Sequence, residues 1–304
     1  VDVHAIGSIT KGREGKELSP IGELVKAGAV AISDDGSSVM NSEILRRALE
    51  YAKMFNIPVI EHCEDPDLAG EGVMNEGYYS TLLGLKGIPK AAEEVIVARD
   101  ILLARETGGR LHIAHVSTEG SIELIKWAKK QGLNVTAEAA PHHFSLDEST
   151  LKDYDTNFKM NPPLRTKEDV KSIRKALKDN VIEVIATDHA PHAEVDKRVE
   201  FNNAAYGIVG LETAFPLICE YLIRPGVLSL SQAIAKITVN PAQILNLKKG
   251  SLAVDQNADI VVANVDKEVK ITRDFFASRS TNSPFIGKTL HGSVEYVIKK
   301  GKII

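Results

Sequence analysis

A short apolar run ending in acidic or imidazole side chains, then a loop, then an amphipathic segment, recurs along the first two thirds of this chain. The runs Val1–Ser8, Ala29–Ser33, Ile57–Ile60, Leu111–Ala114, Val135–Ala139 and Val181–Ala186 read as strands. Between them Leu18–Ala27, Ser42–Phe55, Ala91–Thr107, Ser121–Gln131 and Lys167–Lys178 read as helices. In the second of these, Ile44, Leu45, Ala48, Leu49 and Ala52 fall on one helical face, and Ser42 reads as its cap. Strands alternating with helices predict a parallel sheet, because a parallel connection must cross over and a helix is the usual way to do it. Six such units are too few to close an eight-stranded barrel. The expected fold is therefore α/β, a partial (β/α)8 barrel.

Beyond Ala190 the pattern changes. Gly207–Leu222 and Ser229–Val239 read as helices, separated by Arg224-Pro225-Gly226. From Lys249 the chain becomes strand-like and glycine-punctuated, ending in two short strands around Lys300-Gly301. The expectation is a hydrolase domain over 1–248 and a small β annex over 249–304, part of a composite β-sandwich. The 304 residues are 43% hydrophobic, enough to bury one large core. A net charge of −4 with no basic block argues against nucleic acid as a main partner. Two cysteines, Cys63 and Cys219, argue against a disulfide scaffold and fit a reducing cytoplasm. No apolar run reaches membrane-spanning length. The chain begins at Val1, inside a strand-like run, so a processed chain or a piece of a longer one is expected.

Four strand ends offer metal ligands. Asp34-Asp35-Gly36, His62, His115 and Asp188 each follow an apolar run. Asp35 and His62 lie 27 positions apart, close to one βα unit of roughly 30 residues. His62 and His115 lie 53 apart, one unit with a long loop. Each taken alone has a plain structural reading: a turn for Asp-Asp-Gly, a hydrogen-bonded core residue for a histidine. Their recurrence at one end of a parallel sheet, where such folds keep their chemistry, points to a metal centre. Two imidazoles and two carboxylates suit zinc. His142 and His143 follow Pro141 and are expected behind the ligands. His112 is expected to be structural, and His4 and His291 incidental. Asn161-Pro162-Pro163-Leu164-Arg165 is a stiff extended segment able to present an amide. Tyr206-Gly207 offers backbone that a ligand can approach closely.

Asp34-Asp35-Gly36, Glu61-His62-Cys63-Glu64-Asp65, His115-Val116-Ser117-Thr118, Pro141-His142-His143, Asn161–Arg165 and Ala186-Thr187-Asp188-His189-Ala190-Pro191-His192 together resemble, in order and along the whole chain, the bacterial type I dihydroorotases. These are amidohydrolases of pyrimidine biosynthesis. Val73–Gly77 and Gly207–Glu212 share the resemblance. It implies one or two zinc ions, with Asp35 as a ligand able to bridge them. His62 and His115 would hold one ion. Asp188 would hold the other and act as the catalytic acid/base. Asn161, His192 and the backbone at Tyr206 and Gly207 would hold the substrate. The implied reaction is the reversible interconversion of dihydroorotate and N-carbamoyl-L-aspartate. Dihydropyrimidinases and allantoinases generally carry a carboxylated lysine where this chain has Ser33-Asp34-Asp35-Gly36, which favours dihydroorotase.

Two departures accompany the resemblance. The family's first strand carries a His-x-His pair and an arginine, and its second an asparagine. Neither has a counterpart, since Val1 aligns with the start of the third strand, so the expectation is a barrel lacking its first two strands. This chain by itself is accordingly expected to be inactive. Thr281 also stands where a basic residue is usual. Two other readings are an allantoinase or dihydropyrimidinase, and a non-catalytic scaffold for aspartate carbamoyltransferase. A homo-oligomer or that transferase are the expected macromolecular partners. Cys63, beside His62, is weighed as a regulatory thiol against a buried small residue.

Overall fold

A computed structural model describes residues 1–304. In chain order its strands are β1 (Ile6–Gly7), β2 (Ala31–Ser33), β3 (Val59–Glu61), β4 (Met74–Asn75), β5 (Gly87–Ile88), β6 (Leu111–Ile113), β7 (Val135–Ala139), β8 (Val184–Ile185), β9 (Ile260–Lys270), β10 (Thr289–Lys299) and β11 (Lys302–Ile303). Six of them form one sheet in the order β1-β2-β3-β6-β7-β8. Every neighbouring pair in it is parallel, with β3 and β6 in register as Val59 with Leu111 and Glu61 with Ile113. β1 and β8 are its two edges. The small β4–β5 pair is also parallel, and β11-β10-β9 is a separate antiparallel sheet.

The helices pack their apolar stripes on the sheet. Ser42–Met54 buries Leu45, Ala48, Leu49 and Ala52, the face read from the sequence. Its cap is Asn41 rather than Ser42: the Asn41 side chain accepts from the Glu43 and Ile44 amides. Lys167–Lys178 starts in a capping box between Thr166 and Asp169. One cluster of 45 buried residues spans the sheet, its helices and also Ile271, Phe276, Phe285 and Leu290, so the segment linking β9 to β10 belongs to the main core.

Several expected elements are shorter. Val1–Ala5 is exposed and lies outside the sheet, its backbone tied only where the Ala5 carbonyl accepts from the Val30 amide. Val181–Ala186 narrows to the two residues of β8, following Asn180 at φ +55°. The helix expected from Gly207 starts only at Leu211, because Gly207 stands at φ +104° and the chain must turn first.

Candidate active site

Parallel strands deliver their C-terminal ends to one rim, and the four candidate ligands follow β2, β3, β6 and β8. Asp34 and Asp35 divide the labour at the β2 end. Asp34 is buried and accepts from the Ile9 and Thr10 amides at 2.8 and 3.1 Å, bracing β1 against β2. That leaves Asp35, more exposed than Asp34, to turn its carboxylate toward His115. His115 and Asp188 have positive φ, +31° and +49°, an arrangement that costs about 1 kcal/mol or more for a side chain bearing Cβ and that clusters at functional sites.

Three of the four meet. His62 Nδ1 lies 2.9 Å from His115 Nε2, and His115 Nε2 lies 3.7 Å from an Asp35 carboxylate oxygen. One ligand atom from each residue falls within 4.8 Å of the others. Ligand atoms at tetrahedral angles around zinc stand roughly 3.3 Å apart, so this spacing fits a shared ion. Asp188 sits on the same rim outside the trio. Its carboxylate lies 3.9 Å from His142 Nε2, and its charge is felt at His115. Burial would lower the His115 pKa, but the Asp35, Asp188 and Glu138 carboxylates override it and raise it to about 9. The Asp35 carboxyl is correspondingly held below its ordinary range, chiefly by the facing His115 imidazole.

His142 and His143 occupy the short helix Pro141–Ser145 that follows β7. Burial pushes His142 down to about 4 and His143 well below its usual value, so both rings are neutral at pH 7. His143 Nε2 donates to the Pro162 carbonyl at 2.9 Å, tying this helix to the Asn161–Arg165 segment. His112 lies between Thr136 and Glu138 at 2.8 and 3.0 Å and braces β6 to β7, as a structural histidine would. His291 pairs with Glu220 at 2.8 Å, far along the chain from the trio.

The expected substrate residues form two groups. Asn161 Nδ2 donates to Glu64 Oε1 at 3.1 Å, two residues past His62. His192 Nε2 donates to the Tyr206 carbonyl at 2.6 Å, and the Gly207 amide donates to the Lys159 carbonyl at 2.9 Å. A Cβ at Gly207 would stand 2.5 Å from that of Ala190, so only glycine lets the two segments close up. A concavity of about 840 Å³ touches this second group through His192 and is walled by Lys197, Arg273, Arg279, Thr281 and Asn282. It does not reach the trio. The candidate chemistry lies with the buried imidazoles and the carboxylate, apart from this concavity.

Some site residues escape sequence reasoning. Glu64 gives no periodic signal, and its contact with Asn161 spans 97 positions. Arg165 is buried, with Nη1 donating to Asn75 Oδ1 at 3.0 Å and the Ile88 carbonyl at 2.8 Å, and Nε to Ser117 Oγ at 3.1 Å. It thus knots β4 and β5 to the His115 loop. Of the two readings weighed for Cys63, the structure supports the buried small residue. It is 3% exposed, its sulfur lies 3.6 Å from Asp100 Oδ2, and burial pushes the thiol well above its usual pKa, so it is a packed thiol and not a poised thiolate.

Imidazoles and carboxylates gathered at the C-terminal rim of a parallel α/β sheet define a metal-dependent hydrolase of the barrel type. The family model described as "Amidohydrolase family" matches residues 6–304. The dihydroorotase of Acetivibrio thermocellus is 54% identical over 304 residues, covering all of this chain and 71% of that protein. That of Pelotomaculum thermopropionicum is 52% identical, with the same coverage. Among solved structures, L-hydantoinase (dihydropyrimidinase) from Arthrobacter aurescens superposes with a TM-score of 0.88 at 24% identity, over all of this chain and 70% of that one, which shows the fold. The chain belongs to the amidohydrolase family and, within it, to the dihydroorotases.

Proposed function

We propose that this chain carries the zinc site of a dihydroorotase that interconverts dihydroorotate and N-carbamoyl-L-aspartate in pyrimidine biosynthesis in the cytoplasm. The observation that carries the reading is the meeting of Asp35, His62 and His115; the resemblance adds that the aspartate at the β2 end suits a dihydroorotase better than a dihydropyrimidinase or allantoinase. His62 and His115 would hold one ion, Asp35 would bridge to a second, and Asp188 would ligate the second. When bound, the metal polarises the ring amide carbonyl and acidifies water. Asp188 accepts the water proton and passes it to the leaving ring nitrogen. Neutral His142, 3.9 Å away, steadies that carboxylate. Asn161 and the His192–Tyr206–Gly207 unit hold the substrate. We take residues 249–304 as an annex, supported by the separate β9–β11 sheet. A second copy, or aspartate carbamoyltransferase, is the proposed partner. A pure scaffold would have no need for the metal trio.

Turnover of dihydroorotate, hydantoin, dihydrouracil and allantoin by the zinc-loaded protein tests the reading. Dihydroorotate should be preferred by at least about tenfold, and equal or better use of another ring would replace it. A polypeptide limited to residues 1–304 offers four of the implied six protein ligands. We expect it to bind zinc weakly and to sustain little turnover, and relative-like rates would refute that.

A further inference from the structure

We infer that Glu64 is a positioning residue for substrate recognition: its carboxylate fixes the Asn161 amide so that Oδ1 is kept as an acceptor for an N–H of the cyclic amide. The inference rests on the dihydroorotase reading for the identity of the ring, and on geometry for the rest. Residues 62–64 are pinned as they leave β3. The Ser38 hydroxyl donates to the His62 carbonyl, and the Glu64 amide donates to Ser38 Oγ at 2.8 Å. From there Glu64 Oε1 reaches Asn161 at 3.1 Å.

An ionised carboxylate can only accept hydrogen bonds, so the NH2 end of the Asn161 amide must face it. The geometry agrees: it is Asn161 Nδ2 that meets Glu64 Oε1, at 3.1 Å. The other end of the amide, Oδ1, is then buried and has no donor. Leaving a buried acceptor unmet costs about 1–3 kcal/mol, which a ligand N–H would recover. Dihydroorotate carries two ring N–H groups. The same Glu64 oxygen lies 4.0 Å from His62 Nε2, which is also buried and without a partner. One carboxylate thus stands between a metal-ligating imidazole and the amide that reads the substrate. Nothing else in the structure holds the Asn161 side chain in that orientation: its only hydrogen bond is the one to Glu64.

A site built to meet an N–H rejects an analogue lacking it far more strongly than a merely apolar pocket does. The test uses the zinc-loaded full-length protein, not a polypeptide limited to residues 1–304, and calorimetry with dihydroorotate and its two ring N-methyl derivatives. The protein should bind dihydroorotate at least about tenfold more tightly than one derivative. In Glu64→Ala that gap should shrink below about threefold with zinc content unchanged. Glu64→Gln, whose amide oxygen can still accept from Asn161, should restore it. A second readout needs neither metal nor ligand: the Asn161 side-chain NH2 protons should exchange slowly in the parent and in Glu64→Gln, and fast in Glu64→Ala. An unchanged gap, or unchanged exchange, in a folded Glu64→Ala overturns the inference. Slow exchange lost as expected, together with no binding of dihydroorotate by the parent, would instead overturn the dihydroorotase reading.

Discussion

Asp188 shows what one residue at a strand end can be asked to do. It stands at φ +49°, its carboxylate faces neutral His142, and its charge helps to raise His115. If it both ligates and carries the proton, Asp188→Asn should lose at least about a hundredfold in turnover, since an amide oxygen coordinates weakly but does not shuttle protons. The trio of Asp35, His62 and His115 should keep most of one metal equivalent. Metal content and turnover measured on one preparation check this, and retained activity would shift the proton to another group. At this scale the sequence was most readable where chemistry breaks a pattern. Asp35, His62, His115 and Asp188 stand out because charge follows an apolar strand. Glu64, His142 and Arg165 did not reveal their contacts, because those are made by folding between segments far apart in the chain, and local spacing carries no trace of them.

Among elements, the helices were legible in their apolar faces and less so in their ends. Ser42–Met54 buries the stripe that its periodicity dictates, yet its cap moved from Ser42 to Asn41, since the capping side chain is chosen by backbone geometry one residue earlier. The short helices Tyr78–Leu83 and Pro141–Ser145 are too brief to show a period. Asp169 shows how helix starts are tied together. It is fully buried, closes the Thr166 capping box, accepts from the Glu119 amide at 3.1 Å, and pairs with Lys90 at 2.6 Å. Burial would raise its pKa, but Lys90, Thr166 and Glu119 together lower it. A carboxyl depressed in the folded state stabilises above its unfolded pKa of about 3.9, and loses that contribution as pH falls through the folded value. Asp169→Asn should therefore cost about 2 kcal/mol at pH 7 and progressively less below about pH 4. Denaturant titrations of both proteins across pH 2–7 (about the range in which carboxyls titrate) measure it, and a deficit that does not vary with pH would contradict it.

For the whole molecule, alternating strands and helices announced the parallel sheet, whereas the seam between its parts was only half legible. The change to glycine-punctuated strands near Lys249 marks the antiparallel sheet, but Ile271, Phe276, Phe285 and Leu290 return to the main core. Periodicity cannot show which core an apolar residue joins. Phe285 is fully buried there, so Phe285→Ala should cost about 3–4 kcal/mol and lower the unfolding of the entire chain in one transition. Calorimetry showing a separate early transition for residues 249–304 would count against this. A last consequence concerns Asp2. Its carboxylate meets Lys249 and also Lys299 at 2.6 Å, and Lys299 in turn holds Asp259 at 2.5 Å, so a knot of exposed charges fastens the first residues to β10. Exposed charges attract over a Debye length of about 10 Å at 0.1 M salt but only about 3 Å at 1 M. Fluorophores at Val1 and Lys300 should therefore transfer energy efficiently in dilute buffer and less so in brine, while the core melts at nearly the same temperature in both: the chain's opening residues are moored by a line that salt can slacken.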